Sequence, residues 1–506
     1  MDLPARGRVH TMPGMKTSVL IQAGLCAAAP ALFAQDDLLD SLKDVLPSES
    51  STMEQPAAAP QTTQDAQAAD TTPAAHPKEY AAFKERLQQE AKACNYDFLP
   101  AMKAILTATN DEFAVDAWMR QAAAEGVAPA MQYLGDKMLT GVTAEELQSP
   151  QVKEAFAMVK KAADAGYAPA MLNVALARIN GIGTPKDEAQ SRKDMLAACK
   201  GGQFMPRFKW LQLTGRLDGF DSKDKPEVKS EIERGNHHVV YFLGMQAPTD
   251  KERSEWLQNA VKLGNAEAVY ALSAACSATM PKQSYQLLQE AVKMHSPGAV
   301  FLLGCLLTEP NQPAAVKGLG IPHNDQMGRQ LIRLAAMSGN TEARYMLGMS
   351  YHDGKYGFAK DDTRAYRNFA IGARAGDPMC SFAQSLMLLK GLGVQKNEKA
   401  SLPLMLEAAN RGIPSALILM AYVQYNGLGG IPADAYKAKQ TLQDALANNV
   451  PEALVYLAYI TAKGGVNLEA DQAESAMYLR MAEHDLKDEA KKMYDDMEKN
   501  GWDPEL

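Results

Sequence analysis

From Lys78 onward the apolar residues of this chain recur three and four positions apart, and Gly, Asn and Pro interrupt them at short intervals. That spacing predicts successive amphipathic helices rather than strands, joined by tight turns. Aligning the helical segments on one another exposes a recurring slot held by Gly135, Ala175, Gly244, Ser273, Gly304, Gly348, Ser385, Ala421 and Ala458. Successive spacings are 40, 69, 29, 31, 44, 37, 36 and 37, the second of them spanning two units. A period in the thirties marks a two-helix solenoid.

Two further columns keep register with the first. A large apolar residue precedes the small slot (Leu134, Leu243, Leu303, Leu347 and Leu457 among them), broken only by Gln384. Five positions before the slot lies a second small column that includes Ala130, Ala170, Ala268, Ala299, Ala343, Ala416 and Ala453, with Val239 the larger exception. Small residues about a turn and a half apart let a neighbouring helix approach closely, and the large residue fills the gap.

The second helix of each unit carries a paired small step before a stop: Ala122-Ala123 before Gly126, Ala162-Ala163 before Gly166, Ala335-Ala336 before Gly339, and Ala408-Ala409 before Gly412. Glycine can end a helix in the left-handed conformation, and Asn449 takes that position in one unit. Glycine loops join the two helices, as in Gly181-Ile182-Gly183, Gly391-Leu392-Gly393 and Gly427-Leu428-Gly429. With these loops, the run Ala343-Arg344-Tyr345-Met346-Leu347-Gly348-Met349-Ser350-Tyr351-His352-Asp353-Gly354, followed by Asp361-Asp362 and Ala373 to Gly376, resembles a Sel1-like repeat, the relative of the tetratricopeptide repeat with a longer loop. The resemblance covers residues 113 to 486 in about ten units. It is clearest from Thr341 onward and between Val127 and Gln203, and faint between Phe204 and Asn236. It implies an all-α fold, a right-handed superhelical solenoid of two-helix Sel1-like repeats. The short spacings near Leu243 and Leu272 predict a clipped inter-helix loop, and the proline-bearing stretch Glu309 to Gln326 an insertion, either a contact element or a tolerated surface loop.

Ahead of the array, residues 1–34 read as an export leader: Met15-Lys16 precedes the apolar run Val19 to Ala34, with small residues at its end. Cleavage is placed after Ala34, with Met15 an alternative start and an uncleaved anchor the competing reading. Residues 35–77 follow as a short amphipathic segment, Asp36 to Leu46, and an Ala, Gln, Thr and Pro tether with almost nothing to bury. The array is assigned to 78–486, and residues 487–506 to a capping helix whose polar run suits a last unit that faces water. No transmembrane segment is expected in the mature chain.

Charge and candidate chemistry narrow the function. The net charge is -8, and -10 without the leader, so nucleic acid is not an expected partner. The cysteines Cys26, Cys94, Cys199, Cys276, Cys305 and Cys380 form no paired metal motif, which suggests buried single thiols. Neither a metal site nor a cofactor is expected. The Gly-x-Gly loops follow no strand, so they read as turns rather than phosphate cradles, and Gly348 to Tyr356 lacks the spacing of a P-loop. His237-His238 admits a metal role or a helix-start pair. Cys305 with His323 admits a thiol and base only if the fold brings them together.

The surface remains. In tetratricopeptide-like arrays the first helices line a concave groove, and the position three after the second small column holds Tyr133, Asn173, Phe242, Met346 and Tyr456. Those side chains suit a protein or peptide ligand, and they suit packing between repeats equally well. The expectation is an exported, periplasmic or extracellular protein-binding adaptor or scaffold without catalytic activity. The alternative is an envelope hydrolase acting on lactams or peptidoglycan. Relatives of that kind carry two cysteines per repeat, a pairing this sequence lacks.

Overall fold

In the computed structural model the described residues are 71–502, apart from 94–97, 140–145, 200–203, 278–279, 310–318, 320, 322 and 412. The leader, most of the tether and most of the proline-bearing insertion therefore lie outside the described residues. Within them all regular structure is helical, and a lone bridge joins Gly465 and Leu468. No helix among the described residues is long and apolar enough to cross a membrane.

The chain divides into two compact units at Asn340. The first holds α1 (Pro77–Ala93), α2 (Leu99–Thr109), α3 (Val115–Ala124), α4 (Ala128–Leu139), α5 (Pro150–Asp164), α6 (Ala168–Asn180), α7 (Glu188–Ala198), α8 (Phe204–Leu213), α9 (Pro226–Glu233), α10 (His237–Gln246), α11 (Asp250–Lys262), α12 (Ala266–Cys276), α13 (Pro281–Lys293), α14 (Pro297–Thr308) and α15 (Asp325–Met337). The second holds α16 (Thr341–Asp353), α17 (Asp362–Arg374), α18 (Pro378–Lys390), α19 (Glu398–Asn410), α20 (Pro414–Asn426), α21 (Ala435–Ala447), α22 (Ala453–Lys463), α23 (Gln472–Leu486) and α24 (Asp488–Asn500). Within each unit, from α4 to α15 and from α16 to α23, the helices pair as first and second members of repeats. The stretch from Phe204 to Asn236, where the repeat pattern is faint, still forms the pair α8 and α9.

The small slot is where the two helices of a repeat touch. A Cβ on Gly135 would stand 2.3 Å from Val159, and one on Gly348 2.3 Å from the Phe369 ring. Where the slot or its partner is serine, a buried hydroxyl bonds across the contact: Ser191 donates to the Ala175 carbonyl at 2.7 Å, Ser475 to Ala458 at 2.8 Å, and Ser273 and Ser284 donate to each other's carbonyls. Such bonds satisfy polar atoms that burial would otherwise penalise.

Second helices end as the alanine pairs predict. Gly126 (φ 83°), Gly166 (φ 89°) and Gly339 (φ 96°) are left-handed, as is Asn449 (φ 62°); Gly412 lies outside the described residues. At each, two amides fold back on the last turn, as with Gly126 to Ala123 and Val127 to Ala122, both at 3.0 Å. His295 (φ 62°) fills the same position after α13, where the sequence offers no glycine.

The first unit extends upstream of residue 78. Residues 71–77, tether by composition, instead cover Trp118: its indole is fully buried and donates to the Thr71 carbonyl at 2.9 Å, with Tyr80 and Phe83 edge-on at 5.7 and 5.5 Å. Their attachment comes from one aromatic side chain in α3, which local composition does not register. Within this unit α2 also packs on α15. Arg333 of α15 stands 3.3 Å from the fully buried carboxylate of Glu112 and donates to Asn110 Oδ1 at 2.9 Å, across 223 residues of sequence. In the second unit α24 packs on α22, burying Ala490 and Met497. That helix ends at Asn500, short of the 487–506 assigned to the cap.

Candidate partner-binding face

The five residues singled out as ligand-contacting all sit on first helices and are all half-buried. Tyr133, Asn173 and Phe242 belong to the first unit, Met346 and Tyr456 to the second.

Asn173 on α6 donates to both carboxylate oxygens of Asp136 on α4, at 2.7 and 2.9 Å, and Gln132 adds a bond at 3.2 Å. Adjacent first helices are thereby joined along this face. Burial pushes the Asp136 carboxyl up to about 6, against the two amides that favour its ionised form. Phe242 on α10 meets Phe208 on α8 at 5.9 Å, edge to face. Met346 contributes its carbonyl to the Ser350 hydroxyl at 2.7 Å. Tyr456 stacks on Trp502 at 5.0 Å, and Trp502 is shared with Tyr422 and Tyr425 of α20. Three of the five residues thus contact neighbouring first helices or a covering residue while keeping part of their surface exposed.

Asp136 and Gln132 in the first unit, and Tyr422, Tyr425 and Trp502 in the second, lie beside these residues and escape the sequence reading. Tyr422 and Tyr425 stand three apart on one first helix, as Tyr456 and Tyr459 do on the next, a signal visible in hindsight. Trp502 shares no repeat register, so nothing in the periodic pattern points to it.

The candidate chemical residues are dispersed. His237 Nδ1 accepts from Asn265 Nδ2 at 3.0 Å, and burial holds His238 down near pH 3. The two rings lie 4.0 Å apart, with Phe204 and Phe208 against them. Among the described residues no group of three His, Cys, Asp or Glu side chains is placed to hold a metal ion. Cys305 is buried in α14, while His323 is exposed and pairs with Asp325 at 3.5 Å. Among the described residues Cys199, Cys276, Cys305 and Cys380 form no disulfide, and burial raises the pKa of Cys199 and Cys380. The glycine loops are contacts between repeats: a Cβ on Gly393 would fall 2.1 Å from the carbonyl oxygen of Asp362, which opens the second helix of the preceding unit.

Comparison with known proteins places this architecture. Chitin synthase regulatory factor 3 of Schizosaccharomyces pombe is 26% identical over 89 residues, 18% of this chain and 10% of that protein. Protein SHC1 of Saccharomyces cerevisiae is 30% identical over 104 residues, 21% of this chain and 20% of that one. The chain therefore spans a fifth or less of the length of these curated relatives. Among solved structures, a protective antigen of uropathogenic Escherichia coli displaying an SLR fold is 20% identical over 82% of this chain and 90% of its own, with a TM-score of 0.43. A Sel1 repeat protein from Oxalobacter formigenes is 18% identical over 75% and 89%, with a TM-score of 0.32. Seven segments match the Sel1 repeat family: 128–167, 168–202, 315–340, 341–377, 382–413, 414–440 and 451–483. Six of these overlie the helix pairs that meet through the small-residue slot and the seventh overlies α15, so the chain belongs to the Sel1-like repeat family, the relatives of the tetratricopeptide proteins.

Proposed function

We propose that this protein is an exported, non-catalytic adaptor that binds protein segments on the faces lined by the first helices of each unit. The observation that carries the reading is the chemistry of those faces. Half-buried aromatic, amide and thioether side chains (Tyr133, Asn173, Phe242, Met346, Tyr456) alternate there on rigid helices whose opposite sides are locked by small-residue contacts. Rings and amides held part-exposed on a stiff scaffold give contact area and hydrogen bonds at little entropic cost, as peptide-binding surfaces require. The stretch shared with a chitin synthase regulatory factor supports a regulatory role over a catalytic one. Export rests on the pattern of residues 15–34.

Photocrosslinking in the native host tests the reading. A crosslinking amino acid is placed at Asn173 or Met346 on the first helices, and at Lys160 or Lys437 on the exposed sides of second helices. Discrete protein adducts are expected from the first pair and not from the second. Adducts from neither pair, or equally from both, would overturn the proposal.

A further inference from the structure

Trp502 lies two residues past α24, beyond a turn at Gly501 (φ 82°). Its ring is 7% exposed and is enclosed by three tyrosines: Tyr456 at 5.0 Å and 33°, Tyr422 at 5.5 Å and 71°, and Tyr425 at 6.1 Å and 40°. Tyr422 and Tyr425 come from α20, and Tyr456 from α22. These are first helices of adjacent repeats, so the cradle belongs to the proposed binding face, and its occupant comes from outside both repeats. Tyr425 is fixed by donating its hydroxyl to the Gly464 carbonyl at 2.9 Å.

The seat is apolar and well shaped, but it leaves the indole incomplete. Nε1 of Trp502 is buried with no hydrogen-bond partner among the described residues. Trp118, equally enclosed by rings in the first unit, does donate to a carbonyl. A buried donor left unsatisfied opposes its own burial, against the apolar burial and ring contacts that favour it. Trp118 is thus a satisfied core residue, while Trp502, although buried in the same apolar cluster as Ala490 and Met497, keeps an unmet donor.

We propose that Tyr422, Tyr425 and Tyr456 form a docking subsite for an aromatic side chain on an extended segment of a partner protein, and that Trp502 occupies this subsite in cis as a displaceable plug. The proposal deepens the adaptor reading and rests on it. An occupant two residues past α24, a helix that itself packs on α22, competes at a high effective concentration, so a free segment binds well only when the plug is removed or outcompeted.

A fluorescent nonapeptide of residues 498–506 is the probe, titrated by anisotropy against the intact chain, Trp502→Ala, and Trp502→Ala combined with Tyr456→Ala. The expected result is binding to Trp502→Ala at least tenfold tighter than to the intact chain. The additional Tyr456→Ala change, or alanine in place of tryptophan in the peptide, should abolish that binding. Equal binding to the intact and Trp502→Ala chains, binding that ignores the peptide's tryptophan, or no binding to Trp502→Ala at millimolar peptide would overturn the inference. Should Trp502→Ala lose its helical circular dichroism, Trp502→Leu replaces it; if both unfold, Trp502 is part of the core and the proposal falls. Crosslinks from Asn173 and Met346 without peptide binding would remove this inference and leave the adaptor reading standing, whereas peptide binding without crosslinks would remove the adaptor reading and with it the partner-docking role of the seat.

Discussion

Replacing Arg333 with alanine probes the contact that joins the two ends of the first unit. Its guanidinium stands 3.3 Å from a Glu112 carboxylate whose side chain has no solvent exposure, and Arg333 itself is only 15% exposed. At an effective dielectric near 20, a pair at this separation attracts by roughly 5 kcal/mol, and desolvation of both groups offsets much of that gain. The net worth of the pair is therefore small, but withdrawing one member from a buried partner costs about 3–5 kcal/mol. The loss should be confined to the first unit, because Asn110, Glu112 and Arg333 all lie there. Hydrogen exchange read by mass spectrometry provides the assay: amides of α2 and α15 should exchange two to nearly four orders of magnitude faster at about 1.4 kcal/mol per tenfold, with α20 and α22 unchanged. The double change Glu112→Leu with Arg333→Leu should recover most of the protection, since it buries no charge. A loss below about 1 kcal/mol for Arg333→Ala, or a double variant no better than the single, would refute the reasoning.

Gly348→Ala places a methyl 2.3 Å from the Phe369 ring; we expect a loss of about 1–3 kcal/mol by urea unfolding, partly recovered by Phe369→Leu. Gly393→Ala meets a backbone oxygen at 2.1 Å and adopts φ 63°, so a loss of about 2–4 kcal/mol is expected, and no side-chain change at a second site should rescue it. Asp136 has a folded pKa near 6, above its unfolded value of 3.8. Its contribution is therefore fully present below about pH 4 and is lost as pH rises through about 6, by at most about 3 kcal/mol and less after solvent screening. Asp136→Asn should flatten the fall in stability between about pH 4 and 6, and an unchanged slope would contradict the assignment. For export, mass spectrometry of the secreted protein should find Gln35 as its first residue; residues before Gln35 on the secreted chain would indicate an anchor instead.

The repeat core was legible because its determinants are local and periodic. Gly348 must be small wherever a first helix crosses a ring as large as Phe369, and the stops at Gly126, Gly166 and Gly339 need positive φ whatever surrounds them. A further column was open to reading and was missed. Asp187, Asn324, Asp361, Asn397, Asp434 and Asp471 all open second helices, each donating its backbone amide to a carbonyl of the preceding helix and accepting from the amide three residues on. The contacts of Arg333 with Glu112 and of Trp502 with its tyrosines were not legible. Each joins segments that share no register, and a repeat pattern specifies only what each unit does to its neighbour. The ligand column was ambiguous for a related reason. An amide such as Asn173 at a first-helix position serves a partner only to the extent that its neighbour leaves it unused, and here Asp136, invisible to the period, already takes two of its contacts. What separates binding residues from packing residues on this face is therefore the hydrogen-bonding and ring surface left over after stacking. By that measure the tyrosine cradle, filled by a ring whose N–H it does not satisfy, is a place where stacking leaves a polar group unmet.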